Sequence, residues 1–326
     1  MRLPAAKQRQ RPLHRSLVSL GEIAEGRQRR LHILPVIEQK RIEAAARKIK
    51  QLIALDVDSK QQCGDFTRLD DIAHTVRAIA PDVIVNAAAY TAVDKAESEP
   101  DRVRTINALA PGILAQEAKR LGSWLIHYST DYVFDGSGSK PWVETDLTGP
   151  LSVYGLTKLE GEEAIRASGC KHLIFRTSWV YAARGSNFAK TMLRLAQERD
   201  RLTVIDDQIG APTGADLLAD VTAHAIRTAL RQPELSGLYH LVAGGEISWH
   251  GYACYVLTLA RQSGMDLKVA AESVIPVPTS AFPLPAKRPL NSRLDASKLQ
   301  TAFDVRLPTW QNGVARMLEE ILVSGK

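Results

Sequence analysis

From residue 52 onward, short apolar runs alternate with helical stretches at a regular interval, and no other feature constrains the fold as strongly. The runs fall at 52–55, 82–89, 124–128, 172–176 and 237–242. Helical periodicity fills 70–79, 96–121 in two pieces, the stretch from Pro150 to a stop at Gly169, then 187–198, 217–231 and 248–264. Strands that run parallel cannot be joined by a tight turn, so each needs a crossover helix. This order of elements predicts an α/β chain with a doubly wound parallel sheet covered on both faces.

Ligands bind at the carboxyl edge of such sheets, and two stretches bring chemistry there. Residues 150–158 read PLSVYGLTK. Pro150 suits a helix start, so Tyr154 and Lys158, four apart, share one helical face. A tyrosine with its ordinary pKa near ~10 exchanges protons poorly at neutrality. A nearby ammonium favours the phenolate, which makes the pair a candidate proton donor to a carbonyl under reduction. Tyr and Lys also fall four apart by chance on solvated helix faces, so a second stretch matters. The run 124–128 reads as a strand, and Ser129, Thr130 and Asp131 follow at its carboxyl end. A hydroxyl there can bond the same oxygen as Tyr154.

Charge and cysteine usage exclude several classes. The net charge of +6 comes from residues 1–50, which hold 13 Lys and Arg against 4 Glu, or +9, leaving −3 for the remainder. A basic excess confined to one segment favours a solvated helix face over nucleic-acid binding. No run of about 18 apolar residues predicts a membrane span, and no secretory leader is read at the N-terminus. Cys63, Cys170 and Cys254 are too widely spaced for a disulfide framework or a metal knuckle. They read as free thiols in a reducing cytoplasm.

Five blocks together resemble the dTDP-4-dehydrorhamnose reductase family of extended short-chain dehydrogenases/reductases. They are residues 86–97 (NAAAYTAVDKAE), 129–134 (STDYVF), 150–158, 175–181 (FRTSWVY) and 207–213 (DQIGAPT). The resemblance covers about five-sixths of the chain. It implies a Rossmann-like core over 52–182 and a mixed region over 183–326 that completes the sheet and forms a smaller substrate-binding lobe. It also implies reduction of a 4-keto sugar on dTDP with NADPH, or NADH in some members. By this resemblance Tyr154 donates the proton, Lys158 holds the nicotinamide ribose, and Thr130 bonds the reacting oxygen. Asp56 reaches the adenosine ribose, Asp65 and Phe66 flank the adenine, and Ala89, Tyr90, Thr91 and Tyr128 line the dinucleotide. Asp131 and Trp179 contact the sugar nucleotide, and Arg288, Asn291 and Ser292 close on its diphosphate. Some members bind Mg²⁺ through acids at a homodimer contact, for which Asp216, Glu319 and Glu320 are candidates. Carboxylates are common on exposed helices, and a solvated surface is the favoured reading of those three.

The N-terminus departs from this pattern. A first strand should lead into a Gly-x-x-Gly-x-x-Gly turn and a helix, yet no glycine precedes Gly21. Residues 13–20 have helical spacing and resemble the family's first helix, and residues 1–3 resemble the start of its first strand. Residues 1–51 therefore read as an aberrant segment, as from a coding frame disturbed in two places. The alternative is a substitute strand at 31–34 and an amphipathic helix at 37–51. Loss of the turn leaves a second functional reading open: a cofactor-poor relative that binds a sugar nucleotide or a partner protein without turnover. A third is an epimerase or dehydratase. A dehydratase is expected to carry an acid after Asp131, where Tyr132 stands.

Overall fold

The computed structural model describes residues 16–20 and 51–324. Six parallel strands form its centre: β1 (Ser16–Leu20), β2 (Gln51–Leu55), β3 (Val83–Asn86), β4 (Trp124–Thr130), β5 (Lys171–Thr177) and β6 (Gly237–His240). Their order across the sheet is β6-β5-β4-β3-β1-β2. The side-chain period of two sends apolar residues to both faces. Ile84, Leu125 and Ile174 enter a core shared with α1 (Leu69–Ile79), α2 (Ala110–Leu121) and α3 (Val153–Ser168). Val83, Val85, Trp124, Ile126, Leu173 and Phe175 enter the opposite core with residues of later helices. Strands buried on both faces read as continuous apolar runs, which is why these were visible in the sequence.

Beyond β5 the chain adds α4 (Phe188–Glu198), α5 (Ala215–Ala229), α6 (Trp249–Gln262), α7 (Ser297–Phe303) and α8 (Trp310–Ser324). α5 and α7 cover the second face of the sheet. α4, α6 and α8 build a third core with the strand pair Leu202–Ile205 and Val274–Val277. No helix among the described residues is long and apolar enough to cross a membrane.

The N-terminal expectation needs correction. Residues 16–20 do not continue a helix over 13–20. They form β1, paired in parallel with β2 on one side and β3 on the other. A helix this short makes few internal hydrogen bonds against a high nucleation cost, whereas two flanking strands offer pairing along both edges. Residues 1–3, which resemble the start of the family's first strand, lie outside the described residues. The proposed strand at 31–34 and the helix over 37–50 lie outside the described residues. Gln51 joins β2.

Close helix packing positions the site. A one-turn π segment, Thr105–Leu109, interrupts the long helical stretch before α2. It carries the carbonyl of Asn107 onto α3 at Gly161, where a Cβ would collide with that oxygen. An alanine favours a helix by about 1 kcal/mol over glycine, but overpacking against backbone costs about 1–3 kcal/mol. Gly161→Ala is expected to destabilise the fold, read as a lowered denaturant midpoint; a raised midpoint would show that the two segments separate freely.

Candidate active site

The site grows from two chain reversals that touch. β4 runs as far as Thr130, which pairs with Thr177 on β5. The chain then makes one 3₁₀ turn, Asp131–Val133, capped by Thr130, whose Oγ1 accepts from the Tyr132 N–H at 3.2 Å. α3 starts with a second cap: Ser152 Oγ accepts from the Gly155 N–H at 3.2 Å. Ser152, rather than Pro150, therefore marks the helix start, since a side-chain oxygen can satisfy an orphan N–H and proline cannot. Gly155 sits directly against the Tyr132 carbonyl, leaving no room for a Cβ. The tyrosine rings of Tyr132 and Tyr154 meet edge to face at 5.4 Å. Thr130, Asp131, Tyr154 and Lys158 are thereby gathered at the carboxyl end of β4.

Burial tunes the ionisable groups here. Lys158 is 2% exposed. Its Nζ donates to the Tyr128 carbonyl at 2.6 Å and lies 3.2 Å from His127 Nε2. Loss of hydration lowers its pKa to about 8, with Glu162 pulling the other way. Asp131 is 2% exposed, and burial pushes its carboxyl up to about 6, partly offset by the hydroxyls of Ser292 and Thr130. Its Oδ2 has no hydrogen-bond partner among the described residues. An acceptor left dry in this way suits a ligand hydroxyl.

The other expected contacts have varied settings. Asp56 stands at the end of β2, its Oδ1 accepting from the Asp58 N–H and the Ser59 hydroxyl. Asp65 Oδ1 takes the N–H and hydroxyl of Thr67, while Phe66 is in the first core. Ala89 is half-buried and Thr91 exposed. Tyr90 is buried, with its hydroxyl donating to Glu99 at 3.0 Å. Tyr128 shares a 2.7 Å hydrogen bond with Thr222, and burial raises its pKa to about 12.

Trp179 has a left-handed backbone, φ 51°, a strained geometry for a bulky residue. Its ring stacks on Trp249 at 3.6 Å, and Gly210 lies so close to it that a Cβ would clash. Arg288 makes a two-pronged ion pair with Asp94, at 2.7 and 3.1 Å. That hydrogen bond holds the Asp94 carboxyl below its usual range. The Asn291 amide is committed to the fold, donating to the carbonyls of Ser137 and Lys140. Ser292 is buried beside Asp131.

Sequence reasoning missed a layer beneath these residues. Asn107 clamps the backbone of Tyr90, accepting from its N–H at 2.8 Å and donating to its carbonyl at 3.1 Å. Glu162 and Arg176 form a fully buried pair, bonded at 2.9 and 2.7 Å, with Ser129 donating to Glu162 at 2.5 Å. A polar residue inside an apolar helical stretch, as in Ile106-Asn107-Ala108, was the available signal for Asn107. Asp216 is ion-paired with Arg316. No cluster of three metal-binding side chains occurs among the described residues.

The family model described as the RmlD substrate binding domain matches residues 39–323. The chain is 58% identical over 283 residues to dTDP-4-dehydrorhamnose reductase of Shigella flexneri, covering 87% of this chain and 94% of the relative. This chain belongs to the dTDP-4-dehydrorhamnose reductase family. The Salmonella typhimurium reductase is 59% identical over 276 residues, covering 85% and 92% of the two chains. Among solved structures, the Clostridium acetobutylicum reductase superposes with a TM-score of 0.77 at 31% identity, covering 94% of this chain and 99% of that one. A Bacillus anthracis reductase solved in complex with NADP gives 0.76 at 29% identity, with the same coverage. The family match begins within the segment whose sequence departs from the reductase pattern, and residues 1–38 lie outside it.

Proposed function

We propose that this chain reduces the 4-keto group of dTDP-4-dehydro-L-rhamnose to give dTDP-L-rhamnose. The observation that carries the reading is the convergence of Thr130, Tyr154 and Lys158 at the carboxyl end of the sheet. When bound, NADPH supplies the hydride to C4. Tyr154 supplies the proton to the C4 oxygen, and the Thr130 hydroxyl orients that oxygen. Lys158, as an ammonium whose pKa burial lowers to about 8, steadies the phenolate that forms. Asp131 takes a sugar hydroxyl, Trp179 packs on the sugar, and Arg288 exchanges Asp94 for the diphosphate, whose oxygens suit its fork. The small side chains of Ala87, Ala88 and Ala89 after β3 leave room for the dinucleotide, and Asp56, Asp65, Phe66, Tyr90, Thr91 and Tyr128 border it. The proposed setting is the cytoplasm, where free thiols such as those of Cys63, Cys170 and Cys254 persist, and the proposed assembly is a homodimer. Product analysis after incubation with the keto sugar and NADPH tests the reaction. Conversion of the sugar without consumption of NADPH would favour an epimerase.

Two expected results separate the halves of the site. Trp179→Ala should weaken dTDP-rhamnose binding by about 1–3 kcal/mol through lost aromatic contact and leave NADPH affinity unchanged. Early melting with unchanged sugar affinity would assign Trp179 to the stack with Trp249 alone. The second result concerns the glycine turn that meets the pyrophosphate in this fold, for which no glycine precedes Gly21. Residues 21–26 read GEIAEG, without the full glycine spacing. Charged-group hydrogen bonds are worth about 1.5–3 kcal/mol each. Losing two predicts NADPH binding on the order of a hundredfold or more weaker than in a relative with the turn. Calorimetry reads the difference, and micromolar NADPH binding would contradict it.

A further inference from the structure

Under the catalytic lysine lies a buried chain of three side chains from three elements: Asn86 on β3, His127 on β4 and Lys158 on α3. Asn86 Oδ1 accepts from the Ala88 N–H at 3.0 Å, which fixes the orientation of the amide. Its Nδ2 therefore faces His127 Nδ1, 2.9 Å away, and donates to it. A ring nitrogen that accepts carries no hydrogen. Burial and the neighbouring Lys158 hold His127 well below its usual pKa, so the ring is neutral and its single hydrogen sits on Nε2. That hydrogen points at Lys158 Nζ, 3.2 Å away. An ammonium has only donors, so this contact is a hydrogen bond only when Lys158 is an amine.

We propose that His127, its tautomer locked by Asn86, is a positioning residue that donates from Nε2 to Lys158 Nζ and favours the amine form of the lysine. The amine keeps its bond to the Tyr128 carbonyl. The charged groups packed around Lys158 do not supply the same bias. Glu162, one turn along α3, favours the ammonium, and its carboxylate is held by Arg176 of β5 and Ser129 of β4. Tyr154 precedes Lys158 on α3, and Asp131 and Tyr132 follow β4.

Resting on the reductase reading, the device gives the proton a route. Tyr154 gives its proton to the C4 oxygen and becomes a phenolate. Lys158 ammonium then gives a proton to the phenolate and becomes the amine that His127 Nε2–H is placed to bond. Solvent returns one proton to Lys158, so each turnover consumes one hydride and one proton. A lysine of ordinary basicity would part with its proton less readily than a tyrosine of ordinary acidity.

The test reads the lysine directly and needs no turnover. The amine–ammonium midpoint of Lys158 is followed by NMR on the full chain with ¹³Cε/¹⁵Nζ-labelled lysine, the resonance being assigned by its loss in Lys158→Met. His127→Phe removes the donor and should raise the midpoint by about half a unit to one unit, the worth of one neutral hydrogen bond. His127→Gln retains an N–H near the Nε2 position and should stay close to the unsubstituted protein. Asn86→Leu adds no charge and releases the tautomer, so it too should raise the midpoint, and it carries the test if His127→Phe fails to fold. An unchanged or lowered midpoint in either folded variant overturns the proposal. In a protein that turns over, the kcat–pH profile should move with the midpoint. Absence of turnover beside the expected titrations would refute the reductase reading alone.

Discussion

Tyr154→Phe should lower turnover by roughly 10²–10⁴, the usual contribution of a positioned general acid, while dTDP-rhamnose binds almost as before. The substitution removes one oxygen and keeps the ring. The edge-to-face contact with Tyr132 and the capped start of α3 should therefore persist. The comparison requires kcat and KM together: a fall confined to kcat removes an interaction made in the transition state. Unchanged turnover would take Tyr154 out of the mechanism and leave its place against Tyr132 without a chemical role.

The largest expected effect on stability lies below the site, at Glu162 and Arg176. Both side chains are buried, at 0% and 2% exposure. Arg176 makes a fork of two bonds to Glu162 and also lies over the Phe134 ring at 4.9 Å. Arg176→Met leaves the Glu162 carboxylate in a dry interior with only the Ser129 hydroxyl. Stranding one charge of a buried pair costs about 3–5 kcal/mol, whereas replacing both by apolar groups is often neutral. The single variant should unfold at a much lower denaturant concentration, and Glu162→Met combined with Arg176→Met should recover most of the loss. Equal stability of the single variant and the parent would mean that water reaches Glu162.

The sheet was legible because β3, β4 and β5 are buried on both faces and carry unbroken apolar runs, with small or polar residues at their carboxyl ends. β1 was not legible. In SLVSL the serines fall at a spacing that suits a helix as well as a strand, and only the neighbours β2 and β3 decide between them. Tyr154, Lys158 and Thr130 could be read because their chemistry depends on local spacing: four residues on one helix, and a hydroxyl at a strand end. Glu162 gave no such signal. In a helix reading LEGEEAI it looks like one more solvated acid, and its partner Arg176 is brought to it only when β5 pairs with β4. His127 and Asn86 were hidden in the same way, each inside a run that reads simply as strand. The Asn107 clamp depends on a π turn, which periodicity averages away.

The proposed reaction is hydride transfer to C4 of the sugar, with Tyr154 as proton donor. The most direct measurement uses NADPH deuterated at the transferring position of its nicotinamide ring, with dTDP-4-dehydro-L-rhamnose as substrate. The product sugar is then examined by NMR and mass spectrometry. The expected product is dTDP-L-rhamnose carrying one deuterium, at C4, with almost none of it formed by Tyr154→Phe in the same time. A protein that binds dTDP-rhamnose but yields no deuterated sugar, or product without deuterium at C4, would contradict it.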